Sequence, residues 1–215
     1  MGGGGSQFEA HAGRGRFNAA FFHVMDGCIN WYLRRHKEAV YADLPRTVVE
    51  IGSGVGANFR YVQPGTTVIA VEPNPYMHRS LRLAAERRGI ALEIRDVVGE
   101  RIDLPDSSAD AVISSLALCT VSNPSQVVAE VHRVLRPGGR YSYLEHVAAR
   151  EGTPTRGVQR MVRRPWAWVF EGCSCERDLE AVIRSAGFSS VENRRYRIHS
   201  PFVPFNTQIA GTAVR

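Results

Sequence analysis

Glu50, Gly52, Gly54 and Gly56 stand within seven residues of one another, directly after the β-branched run Thr47-Val48-Val49. Three alternating glycines at the end of a strand let the backbone approach a ligand closely, since no Cβ intervenes. If they open a helix, its first N–H groups are free to meet that ligand. The chemistry implied is nucleotide-type cofactor binding. Gly52-Ser53-Gly54-Val55-Gly56-Ala57 also fits the dinucleotide fingerprint, so the loop alone leaves NAD open. Glu72 ends a second β-branched run 16 residues after Gly56. A carboxylate there can accept from both hydroxyls of a ribose. Glu50, two residues before the first glycine, suits a cationic amino-acid end of a ligand and would repel a pyrophosphate.

Two further stretches follow in order. Val97-Val98-Gly99-Glu100 leads to Leu104-Pro105-Asp106-Ser107-Ser108-Ala109-Asp110, and Arg133-Val134-Leu135-Arg136-Pro137-Gly138-Gly139-Arg140 precedes a strand-like run. From Thr47 to His146 the set resembles the class I S-adenosylmethionine (SAM)-dependent methyltransferases, in particular the UbiE-like subgroup. More of the chain is similar to the methyltransferase-like thiol methyltransferases and their bacterial relatives. That likeness runs through Gly54–Phe59, Glu72–Pro75, Leu116–Val121, Leu144–Ala149, Phe170–Cys173 and Gly211–Val214. Residues 1–46 do not resemble the hydrophobic N-terminal anchor of the animal members, so no membrane association is expected.

The resemblance implies SAM as cofactor, S-adenosylhomocysteine as product, and no metal. It implies that Glu50, Gly52, Gly54 and Gly56 line the methionine part of SAM, with Ser53 and Asn58 in the same loop. Glu72 would hold the ribose and Pro73 pack beside the adenine. Val98 and Gly99 fall at the adenine, and Ser115 and Leu116 at the methionine end.

Methyl transfer from a sulfonium is an in-line displacement, so the protein must mainly align the reactants and exclude water. His146, beside Glu145 at the end of the fifth strand, is the candidate catalytic base. Trp166 and Phe170, with Phe21, Phe22, His23, Met25, Glu145 and His146, are candidates for an aromatic acceptor pocket. The acceptor expected is a small secondary metabolite or xenobiotic of thiol, phenol or indole type. O-, N-, S- and C-methylation all stay open. The alternative is a non-catalytic SAM-binding or partner-binding module on the same fold.

These residues need a scaffold. Strand-like runs at 67–72, 91–95, 109–115 and 140–144 alternate with helix-like segments at 76–89, 126–135 and 178–186. Runs at 191–198 and 208–214 read as a final antiparallel pair. The expectation is α/β: a doubly wound, mostly parallel seven-stranded Rossmann-like sheet with an antiparallel C-terminal strand. Residues 1–16 read as a flexible tail and 17–215 as one domain. Within that domain, 17–44 is a helical lid broken near Gly27, and 150–177 a substrate-side insert.

Composition narrows the class. The chain has 215 residues, 44% of them apolar and 22% charged, which suits one globular domain rather than a disordered chain. No apolar run approaches the length of a membrane span. The net charge of +6 comes mostly from arginines scattered through helices, without a nucleic-acid motif, so no nucleic-acid partner is expected. Four cysteines in a chain of this size do not suggest a disulfide framework. Cys173-Ser174-Cys175 is too closely spaced for half of a zinc ribbon. A cytoplasmic location is expected, as monomer or homodimer.

Overall fold

The computed structural model describes residues 12–215. The β-branched runs form β1 Thr47–Ile51, β2 Thr67–Val71, β3 Ala91–Arg95, β4 Ala109–Ser115, β5 Leu135–His146, β6 Ser190–Arg197 and β7 Thr207–Val214. They build one seven-stranded sheet in the order β3-β2-β1-β4-β5-β7-β6. β1 to β5 pair in parallel. β7 runs antiparallel to both neighbours, β5 and β6. The expected architecture is therefore the observed one, with β7 as the reversed strand.

The helices are α1 Ala12–Val40, α2 Pro75–Arg88, α3 Pro124–Val134, α4 Pro154–Val169 and α5 Leu179–Arg184. α2 and α3 begin alike. An asparagine (Asn74, Asn123) caps the backbone N–H of Tyr76 or Gln126, and a proline follows at the first helical position. α2 ends at Gly89 in the left-handed conformation.

Strand alternation sorts the core onto two faces. Val48, Val68, Ala70, Ile113 and Leu144 point towards α1 and α2, meeting Leu33, Tyr41 and Leu81. Val49, Val112, Tyr141, Tyr143 and Ile209 point the other way, against Val127 and Val131 of α3 and Leu179 and Ile183 of α5.

Four local expectations are corrected. α1 starts at Ala12 and passes Gly27 unbroken, so of the expected tail only residues 1–11 lie outside the described residues. Three glycines in α1 cost about 1 kcal/mol each. Burial of Leu33, at about 1.5–3 kcal/mol for a fully buried side chain, with the partly buried Ile29, Tyr32 and Val40, offsets that. Gly15 is also held directly, its carbonyl accepting from Asn74 Nδ2 at 3.3 Å.

No α-helix follows the glycine loop. The chain makes only a 3-10 turn, Phe59–Tyr61, because ten residues separate Gly56 from β2 and Pro64-Gly65 already turns the chain back. α3 stops at Val134, before the Pro-Gly-Gly. β5 begins there instead, pairing Leu135 with Ala109 before its register shifts to Arg140 opposite Ala111. The 150–177 segment is largely the amphipathic α4, which tolerates Pro165 inside it. No helix among the described residues is long and apolar enough to cross a membrane.

Candidate functional site

A cavity of about 600 Å³ opens beyond the C-terminal ends of β1, β2 and β4, where open parallel sheets bind ligands. Gly52, Ser53, Gly54 and Asn58 line it from the loop after β1. Glu72 and Pro73 line it from β2, Val98 and Gly99 from the segment after β3, and Ser115 and Leu116 from the end of β4. All these expected residues come together.

Glu72 is buried and already holds the loop. Its Oε2 accepts from the Gly54 N–H at 2.7 Å and its Oε1 from the Asn74 N–H at 2.9 Å. Each carboxylate oxygen retains a second lone pair for a hydroxyl donor. Burial raises its pKa even against these two bonds. Gly54, at φ +56°, has only Met77 Sδ near its missing Cβ, at 3.7 Å. Its conformation brings the bare backbone to the cavity wall.

Gly56 does something else. A Cβ there would lie 2.7 Å from the Ala84 Cβ and 3.1 Å from Phe59. It packs the loop onto α2 and does not line the main cavity, which corrects its placement at the methionine part.

Glu50 is corrected too. Its position in β1 points it to the α1 face, beneath the loop, and it does not reach the cavity wall. Its Oε1 accepts from Asn58 Nδ2 at 2.6 Å, and Asn58 Oδ1 accepts from Lys37 Nζ at 2.7 Å. Burial pushes the Glu50 carboxyl up to about 7, against the Asn58 hydrogen bond. Burial brings the Lys37 ammonium down to about 8, against the charge of Glu50. Lys37 and Asn58 both line the cavity.

Lys37 escaped the motif reading, although it is the only lysine among 27 basic residues. That singularity was the available signal. Among the described residues, Glu50 Oε2 and Ser115 Oγ are buried without a hydrogen-bond partner, so the site retains polar capacity that this part of the fold does not use.

A second, apolar cavity of about 90 Å³ adjoins the first, and Phe22, Ile29, Leu116, Thr120 and Glu171 border both. Phe21, Met25, Trp166 and Phe170 form its walls with Phe202 and Phe205. Phe170 packs against Phe21 and Trp166, with ring centroids at 5.3 and 4.6 Å. Its polar groups include Cys119, His146 and Cys173. His146 Nε2 lies 3.0 Å from Cys173 Sγ, the two sulfurs are 3.6 Å apart, and Trp166 Nε1–H points at Cys173 Sγ from 3.4 Å.

Burial opposes protonation of His146, but Cys119 and Glu145 more than offset it and its pKa ends above the ordinary value. The adjoining Cys173 sulfur and burial hold the Cys119 thiol protonated, well above its usual range. His146 is the only histidine bordering either cavity among the described residues.

Two expected pocket residues are not in this cavity. His23 lies on another side of α1, in a surface depression with Arg60 and Ala84. Glu145 points to the opposite face of the sheet from His146, as strand neighbours must. There it accepts from Ser114 Oγ at 2.9 Å and the Ala117 N–H at 3.2 Å.

The junction of the two cavities is strained. Leu116 and Glu171 adopt φ of 59° and 50°, a left-handed conformation costing about 1–2 kcal/mol for such residues. Strain of this kind persists where the surroundings enforce it, often at functional sites. Glu171 is half-buried, and burial together with the charge of Glu72 raises its carboxyl to about 7. It was not singled out from sequence, since backbone strain leaves no mark on residue type.

A family model described as a methyltransferase domain matches residues 49–143. Thiol S-methyltransferase TMT1B of Rattus norvegicus is 37% identical over 173 residues, covering 79% of this chain and 70% of the relative. Thiol S-methyltransferase TMT1A of Homo sapiens is 35% identical over the same shares. Among solved structures, a SAM-dependent methyltransferase of Thermotoga maritima superposes with a TM-score of 0.61. It has 20% identity and covers 90% of this chain and 99% of its own.

Proposed function

The chain belongs to the SAM-dependent methyltransferases, in the family of the thiol S-methyltransferases, and from that premise we propose that it methylates a small apolar thiol. The observation that carries this reading is the pairing of the two cavities. One carries Lys37, Asn58 and Glu72 on a largely apolar lining and is large enough for a nucleoside cofactor. The other is apolar and joins it at Leu116, Thr120 and Glu171.

The residues present fit SAM. Glu72 offers free lone pairs to a ribose, Gly52 and Gly54 offer bare backbone, and Lys37 with Asn58 offers a cation and an amide to an amino-acid end. The orphaned hydroxyl oxygen of Ser115, which borders the cavity, is the buried polar atom such a ligand would complete. When bound, SAM supplies a methyl group already activated by its sulfonium.

The chain's own task is alignment and exclusion of water. Phe21, Trp166 and Phe170 would desolvate the acceptor, and Leu116 and Thr120 would set its approach. A thiol must also lose its proton to become the stronger nucleophile. Among the polar groups of that cavity, Cys119, His146 and Cys173 converge on one point, while Thr120 and Glu171 stand at its junction with the first.

Release of S-adenosylhomocysteine, assayed with an alkyl thiol, a catechol and an indole, tests the reading. Turnover with the thiol and little with the others is expected. Turnover confined to the catechol or indole would reassign the acceptor. Tight SAM binding with no turnover on any would make the chain a SAM-binding module.

A further inference from the structure

Cys119 follows β4, His146 ends β5 and Cys173 follows α4, so three separate segments bring their ligand atoms to one point. The two sulfurs and a ring nitrogen all lie within 4.8 Å of one another, and all three residues are buried. The geometry points to a thiophilic cation site, for Zn²⁺, whose open position takes the acceptor thiol. This rests on the thiol reading above and adds to it the means of activation.

Distances support a cation. Tetrahedral zinc with bonds of about 2.3 Å to sulfur and 2.0–2.1 Å to nitrogen separates two sulfurs by about 3.8 Å and sulfur from nitrogen by about 3.6 Å. The observed separations are 3.6 Å and 3.0 Å, so the imidazole needs to move by roughly 0.6 Å to meet that geometry. Two sulfurs and an imidazole select a soft or borderline ion over magnesium or calcium. The Trp166 N–H aimed at Cys173 Sγ is worth most when that sulfur is a thiolate.

No fourth side chain joins the cluster among the described residues. Three protein ligands with one place left is the arrangement of catalytic zinc rather than structural zinc. All three residues border the apolar cavity, so a thiol held there lies beside the cluster.

The step balances. An acceptor thiol replaces water at the open position, and its S–H proton leaves with that water. The bound sulfur then forms a bond to the methyl carbon as the carbon–sulfonium bond breaks, its electrons passing to the departing sulfur. A neutral thioether and neutral S-adenosylhomocysteine result. Zn²⁺ with two thiolates is neutral. A third thiolate makes it anionic, which draws the cationic sulfonium towards it.

The test uses the full chain, stripped by chelator and titrated with Co²⁺ as a spectroscopic stand-in. One equivalent should bind with sulfur-to-metal charge-transfer and tetrahedral absorption bands. Those bands should be lost in Cys119→Ser, Cys173→Ser and His146→Ala, retained in Cys175→Ser, and shifted by an added alkyl thiol. Calorimetric SAM binding shows whether each variant folds. In the unmodified protein, Zn²⁺ should also slow alkylation of Cys119 and Cys173 at least tenfold, read by mass spectrometry. Substoichiometric binding, bands insensitive to the three substitutions, or unchanged alkylation would overturn the site. Full thiol turnover in the stripped protein would overturn the activation and leave the thiol reading standing. Cobalt bound in the expected way without thiol turnover would uphold the site and remove the thiol.

Discussion

Lys37 and Asn58 tie α1 to the glycine loop, Nζ donating to Oδ1 at 2.7 Å, while Asn58 donates onward to Glu50 at 2.6 Å. A cation, an amide and a carboxyl thus run in line from the cavity wall to the sheet. Removing the cation leaves the other two buried without it. Lys37→Met should raise the SAM dissociation constant tenfold or more by calorimetry, with the far-UV circular dichroism unchanged. Unchanged affinity would make Lys37 a purely structural lysine.

The carboxyl of that line has an unusual linkage. Its folded pKa of about 7 lies above the ordinary 4.5, so between those values the folded chain keeps a proton that the unfolded chain has released. Stability of the ligand-free protein should therefore be fullest below about 4.5, fall as pH rises to about 7, and level off above. Burial raises Glu72 in the same direction. Glu50→Gln should flatten the decline in Tm between pH 5 and 8 by several degrees in calorimetric scans. An identical slope would place the titration elsewhere.

Gly54 and Gly56 should separate binding from folding. Gly56→Ala puts a Cβ 2.7 Å from Ala84 in a left-handed conformation, costing about 2 kcal/mol or more. It should lower Tm while leaving SAM affinity nearly intact, since Gly56 does not border the main cavity. Gly54→Ala carries the same left-handed strain of about 1–2 kcal/mol but meets no close atom, so it should lower Tm less than Gly56→Ala and weaken SAM binding more. Equal losses of affinity in both would mean that the loop acts as one unit.

Glu72→Ala removes the acceptor for the Gly54 N–H and the acceptor expected for the ribose. Its SAM dissociation constant should rise severalfold or more. A wild-type value would remove Glu72 from cofactor binding.

His146→Ala should lower thiol turnover at least tenfold with SAM affinity preserved, because its ring borders only the second cavity. Wild-type turnover would reduce it to a packing residue.

Much of this was legible in residue order. The β-branched runs and the glycines and prolines between them marked all seven strands, because period and punctuation are local properties. The loop and Glu72 could be read for the same reason, each lying at a strand end, whereas Val98 and Leu116 came only from the family resemblance. Distance in sequence hid the rest. Cys119, His146 and Cys173 are each 27 residues apart, outside any ligand spacing, and only the sheet order joins them. Strand parity separated Glu145 from His146, although the two are adjacent in the chain. The absent helix after Gly56 shows a motif carrying an expectation that the short connection to β2 could not fulfil.

Phe22 and Ile29 of α1 border both cavities, so cofactor and acceptor share one wall. Whatever either ligand does to that wall, the other must meet. Thermodynamic reciprocity then applies: the factor by which SAM changes acceptor affinity equals the factor by which the acceptor changes that of SAM. Substitutions at Phe22 should alter that single factor, measured from either side, more than they alter either affinity alone.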